Sequence, residues 1–325
     1  MRAALPRRAL LGTALALPLA APALAQAGRV VRILVGFPPG QATDIVTRMW
    51  ADRMGANSRD TFIVDNRPGQ GGSLALGALA RAAPDGTTMM VAHMSALCVN
   101  PHVYRQVPHD TLRDFEVAGL LADLPFVLVA NPAVPVTDLA SLRRFAQANP
   151  DRLSNASSGI GQVSHLAMEE IKRINGMQIT HVPYRGSALG VTDVINGTVQ
   201  LALETAAATV PHIQAGRLRA LAAGTRERLP ALPDVPTMQE QGMDGFTAVT
   251  WLMATYPAGV GRETLQATHA AIARTMQVPE AEARLVAMGV VPRFSASPDE
   301  AQALLRAEHA RWGEVVRRTG ARLDE

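Results

Sequence analysis

Three short loops rich in glycine, serine and threonine constrain this chain more than any other feature. They occupy positions 38–44, 66–73 and 157–164, each between an apolar run of strand length and a segment of helical spacing. The first follows Val30-Val-Arg-Ile-Leu-Val35, a nearly continuous apolar stretch of the kind found in strands covered on both faces. Thr43 is placed to cap the next helix, which carries Ile45, Met49 and Trp50 inward, with Asp44 favourable in its first turn. A second strand over 61–65, an alanine-rich helix over 74–82 and a third strand over 88–91 continue the pattern. Strand, loop and helix in repeated order imply right-handed crossovers and a parallel α/β sheet.

The middle of the chain repeats the theme. The apolar segment Pro125-Phe-Val-Leu-Val129 precedes a helix over 137–147, a strand over 153–156 and a helix over 165–173. Strands follow over 178–182, 199–203 and 219–223, with helices over 188–195 and 210–215, Pro211 taking the first position of the latter. A strand over 246–253 leads to a helical tail, whose last helix opens on Ser297-Pro-Asp-Glu300 with capping-box spacing and carries Leu304, Leu305, Trp312, Val315 and Val316 as an apolar stripe. The tail is expected to return to the first α/β unit, making the middle unit an insertion. The predicted organisation is an export signal over 1–25, a first lobe from 26–125 and 252–325, and a second lobe from 126–251.

The charge balance narrows the partners. Of the 31 basic residues, Arg2, Arg7 and Arg8 lie in an N-terminal stretch without acidic residues, which leaves 28 basic against 28 acidic side chains beyond it. A neutral mature chain has no global field to steer it to nucleic acid or anionic lipid. Arg7-Arg8, the apolar run from Ala9 and the small residues Ala23-Leu-Ala25 read as a cleavable signal, with the mature chain starting near Gln26 and either the general or the twin-arginine route open. Export to the periplasm follows. Cys98 is the single cysteine, so no internal disulfide can form, and its apolar setting marks a buried thiol.

Common catalytic and cofactor motifs are absent: no phosphate-binding Gly-Lys loop, no nucleophile elbow, no zinc helix, no paired cysteines and no dinucleotide fingerprint. No cofactor or metal is expected. Ser164 and His165 are neighbours, but adjacent helical residues point about 100° apart, so they are no nucleophile and base by spacing alone. The three loops, by contrast, lie where open α/β sheets hold ligands. Their free backbone N–H groups and helix starts favour an anion.

A set of motifs running in order through nearly the whole mature chain is similar to the Bug family, the TctC-type receptors of tripartite tricarboxylate transporters. It comprises Phe37-Pro-Pro-Gly-x-x-Thr-Asp44, Asn66-Arg-Pro-Gly-x-Gly-Gly72, Ala82-Ala-Pro-Asp-Gly86, Asn100-Pro101, Asp114-Phe115, Ser164-His-Leu166, His181-Val-Pro-Tyr-Arg-Gly186, Pro211-His-Ile-x-Ala-Gly216, Leu232-Pro-Asp-Val-Pro-Thr237 and Trp251. The resemblance implies a type II periplasmic binding protein, two α/β lobes with a ligand cleft between them, without catalysis; the chain is expected to act as a monomer. It would deliver a small organic acid, amino acid or related amide to integral-membrane permease subunits. Carried over by motif, the expected ligand-binding residues are Phe37, Gly40, Gln41, Thr43, Asp44, Ser73 and Ser95 in the first lobe. Ser157, Ser158, Gly161, Ser164, Tyr184, Glu204 and Thr205 complete the set in the second. Asp44 and Tyr184 are equally readable as structural.

Two departures bear on the ligand. Gln41 stands where the family commonly has a second glycine, adding a donor and an acceptor at the pocket mouth, and Ser73 stands where it often has asparagine. Glu204 is acidic, and is read either as a cleft residue that pairs with an amine or repels a second carboxylate, or as a solvated strand end. A sensor that presents its ligand to a signalling protein is the alternative to transport. A secreted hydrolase using Ser164, His165 or Cys98 is the remaining class.

Overall fold

The structure, a computed structural model, describes residues 28–319; the predicted signal over 1–25 lies outside the described residues. Among the described residues no helix is long and apolar enough to cross a membrane. The first unit runs β1 (Val30–Val35), α1 (Ala42–Ala56), β2 (Thr61–Asn66), α2 (Ser73–Leu79) and β3 (Thr88–His93), ending in the short α3 (Asn100–Val103). β4 (Phe115–Ala130) leads to α4 (Leu139–Ala148), β5 (Ser154–Ser157), α5 (Val163–Asn175), β6 (Thr180–Pro183), α6 (Ser187–Asn196), β7 (Leu201–Thr205), α7 (Ala206–Gln214) and β8 (Arg219–Ala223). The chain closes with β9 (Val249–Pro257), α8 (Arg262–Met276), α9 (Pro279–Ala287), β10 (Val291–Pro292) and α10 (Pro298–Thr319).

The same three-strand unit occurs twice. β1 pairs in parallel with β2 and β3, and β5 pairs in parallel with β6 and β7. The expected all-parallel sheet is corrected by the two strands that join these units: β9 runs antiparallel to β3 and β4, and β4 antiparallel to β7 and β8. The sheet is therefore mixed, in the order β2-β1-β3-β9-β4-β7-β5-β6.

β4 carries the change of lobe within one strand. Its residues from Phe115 to Pro125 pair with β9, and those from Phe126 to Ala130 pair with β7 and β8. Pro125 sits at the changeover, where a missing N–H interrupts neither ladder. Three segments meet there: Phe126 N–H donates to Ala248 O (3.0 Å), Gly224 N–H to Phe126 O (2.8 Å) and Ala248 N–H to Gly224 O (2.8 Å). A Cβ on Gly224 would stand 2.8 Å from the Ala248 carbonyl oxygen, so the crossing needs glycine for its close approach.

Apolar residues fill both faces. One core holds Trp50 with Val46, Met49, Leu121, Leu252 and Leu285, a second packs Val127, Val194 and Val210 in the second lobe, and the largest bridges the two lobes through Leu97, Phe126, Leu128 and Leu203. Cys98 is buried in that last core as expected, and burial pushes its thiol well above the ordinary cysteine range.

Two helix starts differ from expectation. Gln41, not Thr43, is the N-cap of α1; Thr43 lies inside the first turn. Pro211 lies inside α7, not at its first position, because the helix opens five residues earlier, directly after β7. At α10 the Ser297 Oγ caps Glu300 N–H as the spacing implied, while the Glu300 carboxylate turns back to Ala296 N–H rather than to Ser297.

Candidate functional site

The loops after β1 and β5 face each other across the cleft, and each is held by the helix that follows it. In the first, Gly40 N–H and the Asn66 side-chain amide donate to the Asp44 carboxylate, at 2.9 Å each, and Arg48 pairs with it at 3.0 Å. Burial raises the Asp44 carboxyl, but Arg48, Gly40 and Asn66 outweigh it and hold the group below the usual carboxylate range. In the second, Ser158 N–H and Oγ meet Ser164 Oγ at 3.0 and 2.8 Å, and Gly161 N–H donates to His165 Nδ1 at 3.2 Å. His165 stacks on His181 with ring centroids 4.0 Å apart, and His181 Nε2 lies 2.6 Å from Ser157 Oγ. Burial, with the neighbouring His165, pushes His181 down to about 4.

These loops enclose an inner cavity lined by Phe37, Gln41, Ala42, Thr43, His93, Leu124, Phe126, Ser158, Gln162, Val163, Ser187, Glu204 and Thr205. Every lining residue except Ser158 is buried. The cavity offers about 20 Å³ to the centres of water-sized spheres, room for one or two water molecules. It adjoins a wider outer cleft of about 920 Å³, which shares Phe37, Ser158 and Gln162 and adds Tyr104, Tyr184 and Arg185.

Four helices begin at the inner cavity. Gln41 is the N-cap of α1, Gln162 of α5 and Thr205 of α7, while Ser187 is the first residue of α6. Neither glutamine caps its own helix; both side chains extend away, and both amide nitrogens are buried without a hydrogen-bond partner. Each reaches the opposite lobe. A Cβ on Gly186 would overlap the Gln41 amide, and a Cβ on Gly71 would overlap that of Gln162. Both glycines have positive φ, +116° and +57°.

His93 and Glu204 stand at equivalent places, at or next to the last residue of β3 and β7. Ser95 N–H donates to His93 Nδ1 (3.1 Å), which leaves the ring proton on Nε2, and burial pushes the imidazole down to about 3. Glu204 is 1% exposed, so the reading of a solvated strand end is overturned. Burial pushes its carboxyl up to about 8, against the opposing pull of the Thr205 N–H and of the Ser158 hydroxyl and N–H.

Of the residues expected from sequence, Phe37, Gln41, Thr43, Ser158, Glu204 and Thr205 line the inner cavity, and Tyr184 the outer cleft. The Tyr184 hydroxyl donates to Asp193 (2.6 Å). Asp44, Ser157, Gly161 and Ser164 lie behind the lining and shape the loops, while Gly40 is exposed and bonds to Asp44. Ser73 accepts from Asn100 at 2.9 Å, and Ser95 is buried behind His93. Ser164 bonds to Ser158, not His165. His93, Gln162 and Ser187 line the cavity without having been expected. Gln162 was within reach of the sequence, since Gly161-Gln-Val-Ser164 repeats Gly40-Gln-Ala-Thr43 at the start of the equivalent helix.

Fold and site together define a two-lobed binding protein of the periplasmic type. Residues 46–321 match the family described as TctC, the tripartite tricarboxylate transporter family receptor. The chain is 32% identical over 296 residues to Protein BugT of Bordetella pertussis, covering 91% of this chain and 90% of that protein. Among solved structures, it is similar to Rpa4515 of R. palustris with adipate, at TM-score 0.86 and 32% identity over 90% of this chain and 97% of the other. MatC from Rhodopseudomonas palustris with bound malate superposes at TM-score 0.81, with 28% identity and coverage of 89% and 98%. The chain belongs to the TctC family of tripartite tricarboxylate transporter receptors.

Proposed function

We propose that this chain captures a small organic acid between its lobes in the periplasm and delivers it, without turnover, to the integral-membrane permease of a tripartite transporter. The observation that carries this reading is the pair of buried, unpartnered amide donors, Gln41 and Gln162, set at opposed helix starts where the N-terminal dipoles favour an anion. A donor left buried without a partner costs about 1–3 kcal/mol, a deficit that a ligand carboxylate removes. Similarity to receptors solved with adipate and malate supports the ligand class. The export signal over 1–25 and the family support the compartment. The changeover on β4 supports lobe boundaries near 125 and 252.

In this reading Phe37, Gln41, Thr43, His93, Ser158, Gln162, Ser187, Glu204 and Thr205 face the ligand, while Asp44, Gly161 and Ser164 hold the loops in shape. Because the inner cavity holds only one or two waters, entry of a ligand requires the lobes to part about the Phe126–Gly224–Ala248 crossing. The test is a melting-temperature screen of the mature chain, unfolded and refolded to strip carried-over ligand, against mono- and dicarboxylates, amino acids and pyridine carboxamides. A ligand at about 100 times its Kd adds roughly 2.7 kcal/mol and raises Tm by a few degrees. A shift with one acid and no product in solution is expected. Product release abolished by Ser164→Ala would overturn the reading.

A further inference from the structure

Glu204 is the one acidic side chain lining the inner cavity, and no lysine or arginine lines it to balance a charge. Ser158 and Thr205 border the cavity beside it, and their donors pull its pKa down by less than burial raises it. A carboxyl 1% exposed and bordering the cavity without a counter-charge is favoured in its protonated form.

The ionisable groups on the surrounding elements are engaged elsewhere. Asp44 of α1 pairs with Arg48, Asp123 of β4 with Arg293, and Glu169 of α5 with Lys172. Asp193 of α6 accepts from Tyr184, and His165 of α5 accepts from Gly161. His212 of α7 is held below the ordinary histidine range by burial and then Arg217. His93, the other titratable group of the lining, is neutral at any pH near 7. None of these supplies a counter-charge to Glu204.

Resting on the carboxylate-receptor reading above, we propose that Glu204 is a proton-bearing donor to a second acid group of the ligand, so that capture of a dicarboxylate is linked to one proton. One carboxylate meets Gln41, Gln162 and the helix starts. The other accepts the Glu204 O–H, an acid–carboxylate hydrogen bond of the strong, charge-assisted kind that needs no basic residue. A neutral acid in an apolar setting acting as donor to an anion is a recognised use of a raised carboxyl pKa.

The sign of the pH dependence separates this from an ammonium-binding role. If Glu204 must hold its proton, dicarboxylate affinity falls as Glu204 ionises, tenfold per pH unit above about 8. If it pairs with an amine, affinity rises over the same range. The experiment measures Kd by calorimetry from pH 6.5 to 9.5 on the mature chain and on Glu204→Gln, with malate, adipate, L-aspartate and L-lysine as probes. At pH 9 it is run in two buffers of different ionisation enthalpy. Expected are a dicarboxylate Kd about 30-fold weaker at pH 9.5 than at pH 7, uptake of close to one proton at pH 9, and a pH-independent Kd in Glu204→Gln. The wild-type profile stands by itself should the variant fold poorly. A flat wild-type profile for a dicarboxylate that binds would overturn the inference and leave the receptor reading intact. So would an amino acid whose affinity increases with pH and is lost in Glu204→Gln. Absence of binding by every acid at every pH would overturn both.

Discussion

Burial of Glu204 has a consequence for stability that needs no ligand. Its carboxyl stands near 8 in the folded chain against an ordinary value of 4.5, a difference that corresponds to about 5 kcal/mol. Because the folded pKa is raised, the folded state holds a proton that the unfolded state has released at every pH between the two values. The contribution is fully present below about 4.5 and is lost as pH rises, complete by about 8. The depressed histidines act oppositely: His93 and His181 bind fewer protons folded than unfolded, so their effect grows with pH and levels off above the ordinary histidine value near 6.5. Glu204→Gln carries the same histidines, so the difference between the two proteins from pH 6.5 to 8 isolates Glu204. Wild-type stability should fall by about 1.4 kcal/mol per pH unit near pH 6.5 and by about half that at pH 8, relative to Glu204→Gln, which keeps the shape and has no proton to lose. With a urea m-value of about 3 kcal/mol/M, the steeper slope is roughly 0.5 M in midpoint per pH unit. Urea titrations of both proteins at pH 6.5, 7, 7.5 and 8 measure it. Parallel curves would refute the claim that Glu204 is buried in protonated form.

Three further outcomes follow from the geometry. Gly71→Ala and Gly186→Ala place a methyl group where the opposite lobe's glutamine lies, and should weaken ligand binding at least tenfold while each costs about 1 kcal/mol of stability from its positive φ; thermal melts alongside calorimetry separate the two effects. Gly224→Val crowds the crossing at Phe126 and Ala248 and should lower stability by about 2–3 kcal/mol, read as a drop in urea midpoint. Asp44→Ala strips partners from Gly40 N–H, Asn66 and Arg48 and should cost about 2–4 kcal/mol, with Asp44→Asn recovering part of it in the same assay.

Local patterns in the sequence carried much of this structure. β1 over Val30–Val35 and β8 over Arg219–Ala223 coincide with the predicted runs, because short apolar segments bounded by turns leave few alternatives. β4 was legible only over its second-lobe half. Its first half, Phe115-Glu-Val-Ala-Gly-Leu, is made a strand by β9, a partner more than a hundred residues away, and no local signal reports such pairing. Pro211 misled because a proline near a helix start and one inside a short helix look alike until the first turn, set by β7, is known. At the site, Gln41 was found through its loop, while His93 was not: Thr-Met-Met-Val-Ala-His93 reads as a buried strand with a histidine at its end. Its place across the cavity from Glu204's lobe follows from the doubling of the three-strand unit, which the sequence signals only in the repeated Gly-Gln pairs.

The position of β9 also sets the order of biogenesis. This strand lies between β3 and β4, so both have an unpaired backbone edge until Val249–Pro257 has been made. The second lobe has no such debt, since β5, β6, β7 and β8 with the end of β4 are complete once residue 223 is available. An emerging chain would thus close its inserted lobe first and hold the lobe that it began with open until near the end. A ribosome-stalled or proteolysed chain ending before Val249 would carry two bare, strongly apolar strand edges, the kind that recruit chaperones or pair with one another. The interval between residues 93 and 249 is then the stretch of synthesis over which holding factors matter most.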